Sequence, residues 1–105
     1  MADTLKTLES LIKDRRTSDP TLSYVAKLFS QGREKIAQKV GEEATEVVIA
    51  AMGGDPAKLT SEAADLIFHL MILLEEGRIS MDAVLAELDL REGVSGMTEK
   101  ASRPE

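Results

Sequence analysis

Two acidic runs interrupt the apolar pattern of this 105-residue chain: Glu42-Glu43-x-x-Glu46 and Glu62-x-x-Asp65. On a helix, residues three and four apart are neighbours on one face. Projected at about 100° per residue, Ile36, Val40, Val47 and Ala50 fall on the same side as Glu43. Glu43 therefore lies on an apolar stripe, with Glu46 at its edge. The same projection groups Leu59, Leu66 and Leu73 with Glu62 and sets Asp65 at the stripe's edge. If the two segments pack as neighbouring helices, each aims an i,i+3 carboxylate pair toward the shared core.

Such a cluster must be compensated. Two like unit charges about 4 Å apart repel by on the order of 4 kcal/mol at an effective dielectric of ~20. A whole domain is stable by only ~5–15 kcal/mol. Shared protons would relieve one or two of the four carboxylates. Basic partners would help, but residues 40–76 hold eight Asp and Glu against Lys58 alone. A divalent cation relieves all four, and an all-oxygen donor set suits hard ions, Mg²⁺ first with Mn²⁺ as the alternative. A di-iron centre does not fit, because it takes a Glu-x-x-His pair on each of two helices. This chain has one His, His69, and Leu66 stands three residues before it. His69 follows Asp65 by four residues and can at most orient a ligand or a substrate group. The competing reading is a solvated acidic edge on each helix; two matched pairs on two apolar stripes favour the metal site.

The elements that would position these residues are helical nearly throughout, with no convincing period-two strand. The spacing predicts a first helix over Asp3 to Arg15, with Leu5, Leu8, Leu11 and Ile12 on one face, and a break at Thr17-Ser18-Asp19-Pro20. A second helix starts near Thr21 or Ser23 and carries Leu22, Val25, Ala26 and Phe29. After Gly32 a long third helix runs over Arg33 to Met52 and ends at Gly53-Gly54, since glycine readily takes the left-handed cap conformation. Asp55-Pro56 restarts the chain as cap and first helical residue of a fourth helix that runs to Glu76 and ends at Gly77. Ser80 caps a last helix, Met81 to Leu90. Residues 92–105 contain Gly, Ser and Pro without an apolar repeat and are expected to be irregular. The expectation is a single all-α domain over residues 1–105: a helical hairpin of two long helices plus shorter helices.

Composition narrows the function. Aromatic residues are 3% with no Trp, which leaves little for stacking single-stranded nucleic acid. A net charge of −6 argues against a phosphate-backbone binder. The absence of Cys excludes disulfides, thiolate catalysis and zinc–thiolate sites. The longest apolar stretch, Leu66 to Leu74, is broken by His69 and falls far short of the ~20 residues a spanning helix needs. No basic-then-apolar leader opens the chain. A soluble, cytoplasmic protein that binds neither nucleic acid nor membrane is expected. The charge is also segregated: residues 1–39 balance to +3, residues 40–76 to −7 and residues 77–105 to −2. A basic flank beside an acidic centre suits a site that holds cations and an anionic ligand together.

The arrangement Glu42-Glu43-x-x-Glu46 followed by Glu62-x-x-Asp65 resembles the signature of the all-α nucleoside triphosphate pyrophosphatases, the MazG-type superfamily. A longer set of residues is similar to one family within it, phosphoribosyl-ATP pyrophosphohydrolase. These are Ser23-Tyr24, Gly32, Lys39-Val40-Gly41-Glu42-Glu43-Ala44, Glu62-Ala63-Ala64-Asp65-Leu66, His69-Leu70, Arg91 and the tail from Ser95 to Arg103. The likeness covers nearly the whole chain; Phe68 departs from it, standing where Tyr is expected. It implies Mg²⁺-dependent hydrolysis of a small nucleotide, phosphoribosyl-ATP, to phosphoribosyl-AMP and pyrophosphate, the second step of histidine biosynthesis. Glu43, Glu46, Glu62 and Asp65 are then the expected metal ligands. Glu42 is a fifth carboxylate that would bind a second ion, position the attacking water or act as its base. Lys35 and Lys39, one turn apart ahead of Glu43, are candidates for the substrate phosphates, with Arg33 and Lys27 behind them. In many organisms the domain is fused to a cyclohydrolase that binds zinc through cysteines; this Cys-free chain looks like the free-standing form. Two other readings compete: a house-cleaning pyrophosphatase of ordinary or damaged nucleotides, and a non-catalytic helical dimerisation module whose acids are simply exposed.

Apolar surface exceeds what one hairpin covers. Val47, Val48, Ala51 and Met52 spread round the third helix, and Ile67, Leu70, Met71 and Leu74 round the fourth on the side away from Asp65. Two hairpins related by a two-fold axis would complete a four-helix core. The expected assembly is a homodimer or dimer of dimers, with basic residues of one subunit near the carboxylates of the other.

Overall fold

A computed structural model describes residues 3–92. Among them there are five helices and no strand: α1 (Asp3–Arg15), α2 (Tyr24–Gln31), α3 (Arg33–Gly53), α4 (Pro56–Glu76) and α5 (Met81–Arg91). The irregular tail expected after residue 92 lies outside the described residues. Local signals set the boundaries. Ser23 and Ser80 cap α2 and α5 by accepting from the amides of Ala26 (3.2 Å) and Ala83 (3.1 Å). Between α3 and α4 the chain reverses through Gly54, at φ 79°, and Asp55, whose carboxylate accepts from the Ala57 amide at 3.0 Å, with Pro56 opening α4. A left-handed residue ends one helix, and a capped proline, pre-set in φ, starts the next.

Helices α3 and α4 form the long antiparallel pair. Near the start of α3 and the end of α4, α1 and α2 pack over them and close a core of Ile12, Val25, Leu28, Ile36, Met71 and Ile72. Full burial of each such side chain contributes about 1.5–3 kcal/mol relative to exposure. Polar contacts fix the rim of this core. Arg16 donates to the main-chain oxygen of Glu75 (3.0 Å) and to its carboxylate (3.3 Å), and its guanidinium lies 4.8 Å from the Phe29 ring centroid. Helix α5 rests on α1, where Glu9 accepts from the Met81 amide at 2.8 Å. At the other end of the pair, residues 51–60 are all exposed.

Three placements depart from the sequence expectation. Leu11, expected on the apolar face of α1 with Leu5, Leu8 and Ile12, lies outside the core and is 41% exposed. Leu22 does not join the stripe of α2: it sits in the preceding turn, whose Leu22 and Ser23 amides both donate to the Asp19 carbonyl, and it is 86% exposed. Met71 belongs to the inner core rather than to the open face of α4, because α1 and α2 cover the side that it shares with Ile72. Helix α4 ends in a paired cap in which Arg78 donates to the Glu75 carbonyl and Ile79 to that of Leu74. The left-handed residue of this cap is Arg78 (φ 58°), not Gly77. Among the described residues no helix is long and apolar enough to cross a membrane.

Candidate metal centre

The hairpin brings the two acidic runs together midway along its length. Glu43 on α3 and Glu62 and Asp65 on α4 each offer a carboxylate oxygen, and these three atoms lie within 4.8 Å of one another. The apolar neighbours account for the convergence. Ile36 and Ala50, a turn or two either side of Glu43, are buried. Glu43 follows them into the seam, and both it and Glu62 are half-buried while Asp65 stays at the exposed edge. Glu46 and Glu42 are exposed, and neither joins the three converging oxygens.

The cation beside this cluster is Lys39, one position outside the acidic stretch. Its ammonium lies 3.4 Å from the Glu42 carboxylate and 4.0 Å from that of Glu43. Burial pulls the Lys39 ammonium down, but Tyr24, Glu42 and Glu43 outweigh it, and the net effect is a rise. A hydrogen bond from Gln38 (2.8 Å), followed by Lys39, holds the Glu42 carboxyl below its ordinary value. Lys35, one turn before Lys39, is half-buried. Arg33 is committed elsewhere, paired with Glu76 at the far end of α4.

Three carboxylates and one lysine leave the cluster with excess negative charge. The donors are all oxygen, and their spacing allows a single small cation to touch all three. This chemistry fits Mg²⁺ or Mn²⁺ and does not fit soft metals.

Sequence reading missed one pair of residues here. The hydroxyl of Tyr24, the first residue of α2, is hydrogen-bonded to His69 Nε2 on α4 at 2.6 Å. Burial pushes the Tyr24 phenol up, and Glu43, Asp65 and Glu42 add to the rise against Lys39. The two residues are 45 positions apart, and no periodicity links them. Each residue is singled out on its own, both in the family resemblance and His69 also by its i,i+4 spacing from Asp65, but nothing in the sequence joins the two.

Fold and site together define an all-α hairpin domain whose two long helices converge carboxylates beside a lysine. The chain belongs to the phosphoribosyl-ATP pyrophosphohydrolase family, whose pattern matches residues 5–92 and which is consistent with the MazG-type superfamily. It is 62% identical over 104 residues to the phosphoribosyl-ATP pyrophosphatase of Rhizorhabdus wittichii, covering 99% of this chain and 98% of that protein. It is 61% identical over 99 residues to that of Novosphingobium aromaticivorans, covering 94% and 92%. The counterpart from Erythrobacter litoralis is 57% identical over 101 residues, covering 96% and 97%.

Proposed function

We propose that this chain hydrolyses phosphoribosyl-ATP to phosphoribosyl-AMP and pyrophosphate, the second step of histidine biosynthesis, as a cytoplasmic enzyme dependent on Mg²⁺. The observation that supports it is the convergence of Glu43, Glu62 and Asp65 within 4.8 Å in a member of this family. Glu43, Glu62 and Asp65 would hold the cation, with Glu46, one turn beyond Glu43, as the fourth carboxylate of the set. Bound there, the cation neutralises phosphate oxygens and stabilises the leaving pyrophosphate.

The remaining work falls to the chain's own groups. Glu42, held by Gln38 and Lys39 beside the cluster, is placed to bind a second ion, to position the water that attacks phosphorus or to accept its proton. Lys39 and Lys35 share one side of α3 leading into Glu43 and meet the substrate phosphates. Lys39 already pairs with Glu42 and Glu43, which places its ammonium beside the carboxylates where the phosphates would be bound. The open apolar face formed by Val48, Ile49 and Met52 on α3 and Ile67 and Leu70 on α4 supports a two-fold assembly, a homodimer or dimer of dimers.

The test is pyrophosphate release with Mg²⁺, comparing phosphoribosyl-ATP with a panel of nucleoside triphosphates. A strong preference for phosphoribosyl-ATP is expected. Equal specificity constants would move the chain to the house-cleaning pyrophosphatases, and no release on any substrate would leave a helical dimerisation module.

A further inference from the structure

The only Tyr and the only His of the chain meet beside the carboxylate cluster, and the direction of their hydrogen bonds can be deduced. His69 Nδ1 lies 2.7 Å from the main-chain oxygen of Asp65. A carbonyl oxygen only accepts, so Nδ1 carries the proton in this contact. In the neutral ring the lone pair is then on Nε2, and the Tyr24 hydroxyl, 2.6 Å away, donates to it. A single chain of donors thus runs from Tyr24 on α2 through His69 to the backbone of Asp65, one of the three converging carboxylate residues.

The surroundings pack most closely on its middle member, His69, while Tyr24 is 48% exposed. His69 is buried, 6% exposed, and both of its ring nitrogens are engaged. Phe68 stacks against Tyr24 with ring centroids 6.5 Å apart and planes 20° apart. The His69 ring meets both of them edge-on, at 5.6 Å from Tyr24 and 5.5 Å from Phe68. Tyr24 itself is the first residue of α2, so its position is fixed by the cap at Ser23.

The carboxylates need such a brace. Without a cation, Glu43, Glu62 and Asp65 repel one another, and Asp65, at the exposed edge, is the easiest to splay away. Groups that hold a ligand residue from behind commonly set metal affinity, because they remove the freedom a ligand would otherwise lose on binding.

We propose that Tyr24 and His69 are positioning residues for the cation site: the Tyr24–His69–Asp65 link clamps the first turn of α2 to the ligand-bearing turn of α4 and holds Asp65 in register with Glu43 and Glu62. The proposal rests on the reading of those carboxylates as metal ligands.

The test measures Mn²⁺ binding to the full chain by titration calorimetry without substrate, alongside the Mg²⁺ dependence of turnover. Asp65→Asn is the reference for losing a ligand. Tyr24→Phe removes only the hydroxyl, and about tenfold weaker Mn²⁺ binding is expected. His69→Asn keeps a donor toward Asp65 but cannot reach Tyr24, and a similar loss is expected. The double variant should bind about as weakly as either single one, because both cut the same link. His69→Gln, whose amide oxygen replaces Nε2 as acceptor, should recover part of the affinity. In turnover, half-saturating Mg²⁺ should rise by more than kcat falls.

Mn²⁺ affinity unchanged within about twofold in Tyr24→Phe, with Asp65→Asn severely weakened, overturns the clamp and leaves the metal site standing; a loss of thermal stability without loss of affinity does the same, by making the link purely structural. Failure of the unaltered chain to bind Mn²⁺, or of Asp65→Asn to weaken it, overturns both readings.

Discussion

The two halves of the α3–α4 hairpin live in different surroundings. The half where α3 begins and α4 ends is covered by α1 and α2, and its inward residues Ile36 and Ile72 are fully buried. The half toward the turn is bare: Ala50 is buried in the seam, but Val48 (59%), Ile49 (58%) and Met52 (81%) face outward. One half is completed by its own chain; the other presents apolar side chains that only a further surface can cover. The three converging carboxylates sit where the two halves meet, with Glu43 and Glu62 half-buried and Asp65 exposed.

Four substitutions separate these regions, taken from the largest effect down. At the boundary, Glu43→Gln should lower pyrophosphate release at least about a hundredfold. The same variant, melted without metal, should be more stable than the unaltered chain, because one like charge has gone. Faster unfolding instead would mean that the carboxylate serves the fold and not a cation. In the covered half, Ile72→Ala leaves a cavity in a closed core and should cost about 2–5 kcal/mol in denaturant unfolding. A cost near zero would show that α1 and α2 do not form a tight cover.

In the bare half, Ile49→Ser should leave helical content unchanged while shifting sedimentation toward a monomer and reducing activity in proportion. If it melts the chain with no change in assembly, the bare half is stabilised from within. The smallest effect concerns the end of α4. Arg78 occupies a left-handed conformation that costs a side-chain-bearing residue about 1 kcal/mol, so Arg78→Gly should raise stability by roughly that amount.

Most of the helical frame was legible because its signals are local. Ser23, Asp55-Pro56 and Ser80 mark helix starts through bonds to residues two or three positions away, and α1 ends where its pattern does. The approach of Glu43 to Glu62 and Asp65 was legible for a related reason: two apolar stripes joined by a short turn can face only each other. The link between Tyr24 and His69 was not, because it spans 45 residues and depends on where α2 docks. Met71 was misplaced for the same cause, since a helix that is apolar on several sides does not say which neighbour covers which side. Glu46, expected at the stripe's edge, is exposed where Glu43 is half-buried, because three residues along a helix turn a side chain away from the seam.

The reversal at Gly54-Asp55-Pro56 has a kinetic consequence. Glu43 and Glu62 are only nineteen positions apart, and almost all of that interval is helix. Closing so short a loop costs little entropy, and chains dominated by near-neighbour contacts fold in microseconds to milliseconds. The short separation therefore favours early meeting of the two sides of the carboxylate cluster, an expectation that refolding kinetics would check. Repulsion among those acids then acts on the earliest steps of folding as well as on the finished protein, so a divalent cation in the refolding buffer should speed the formation of the hairpin.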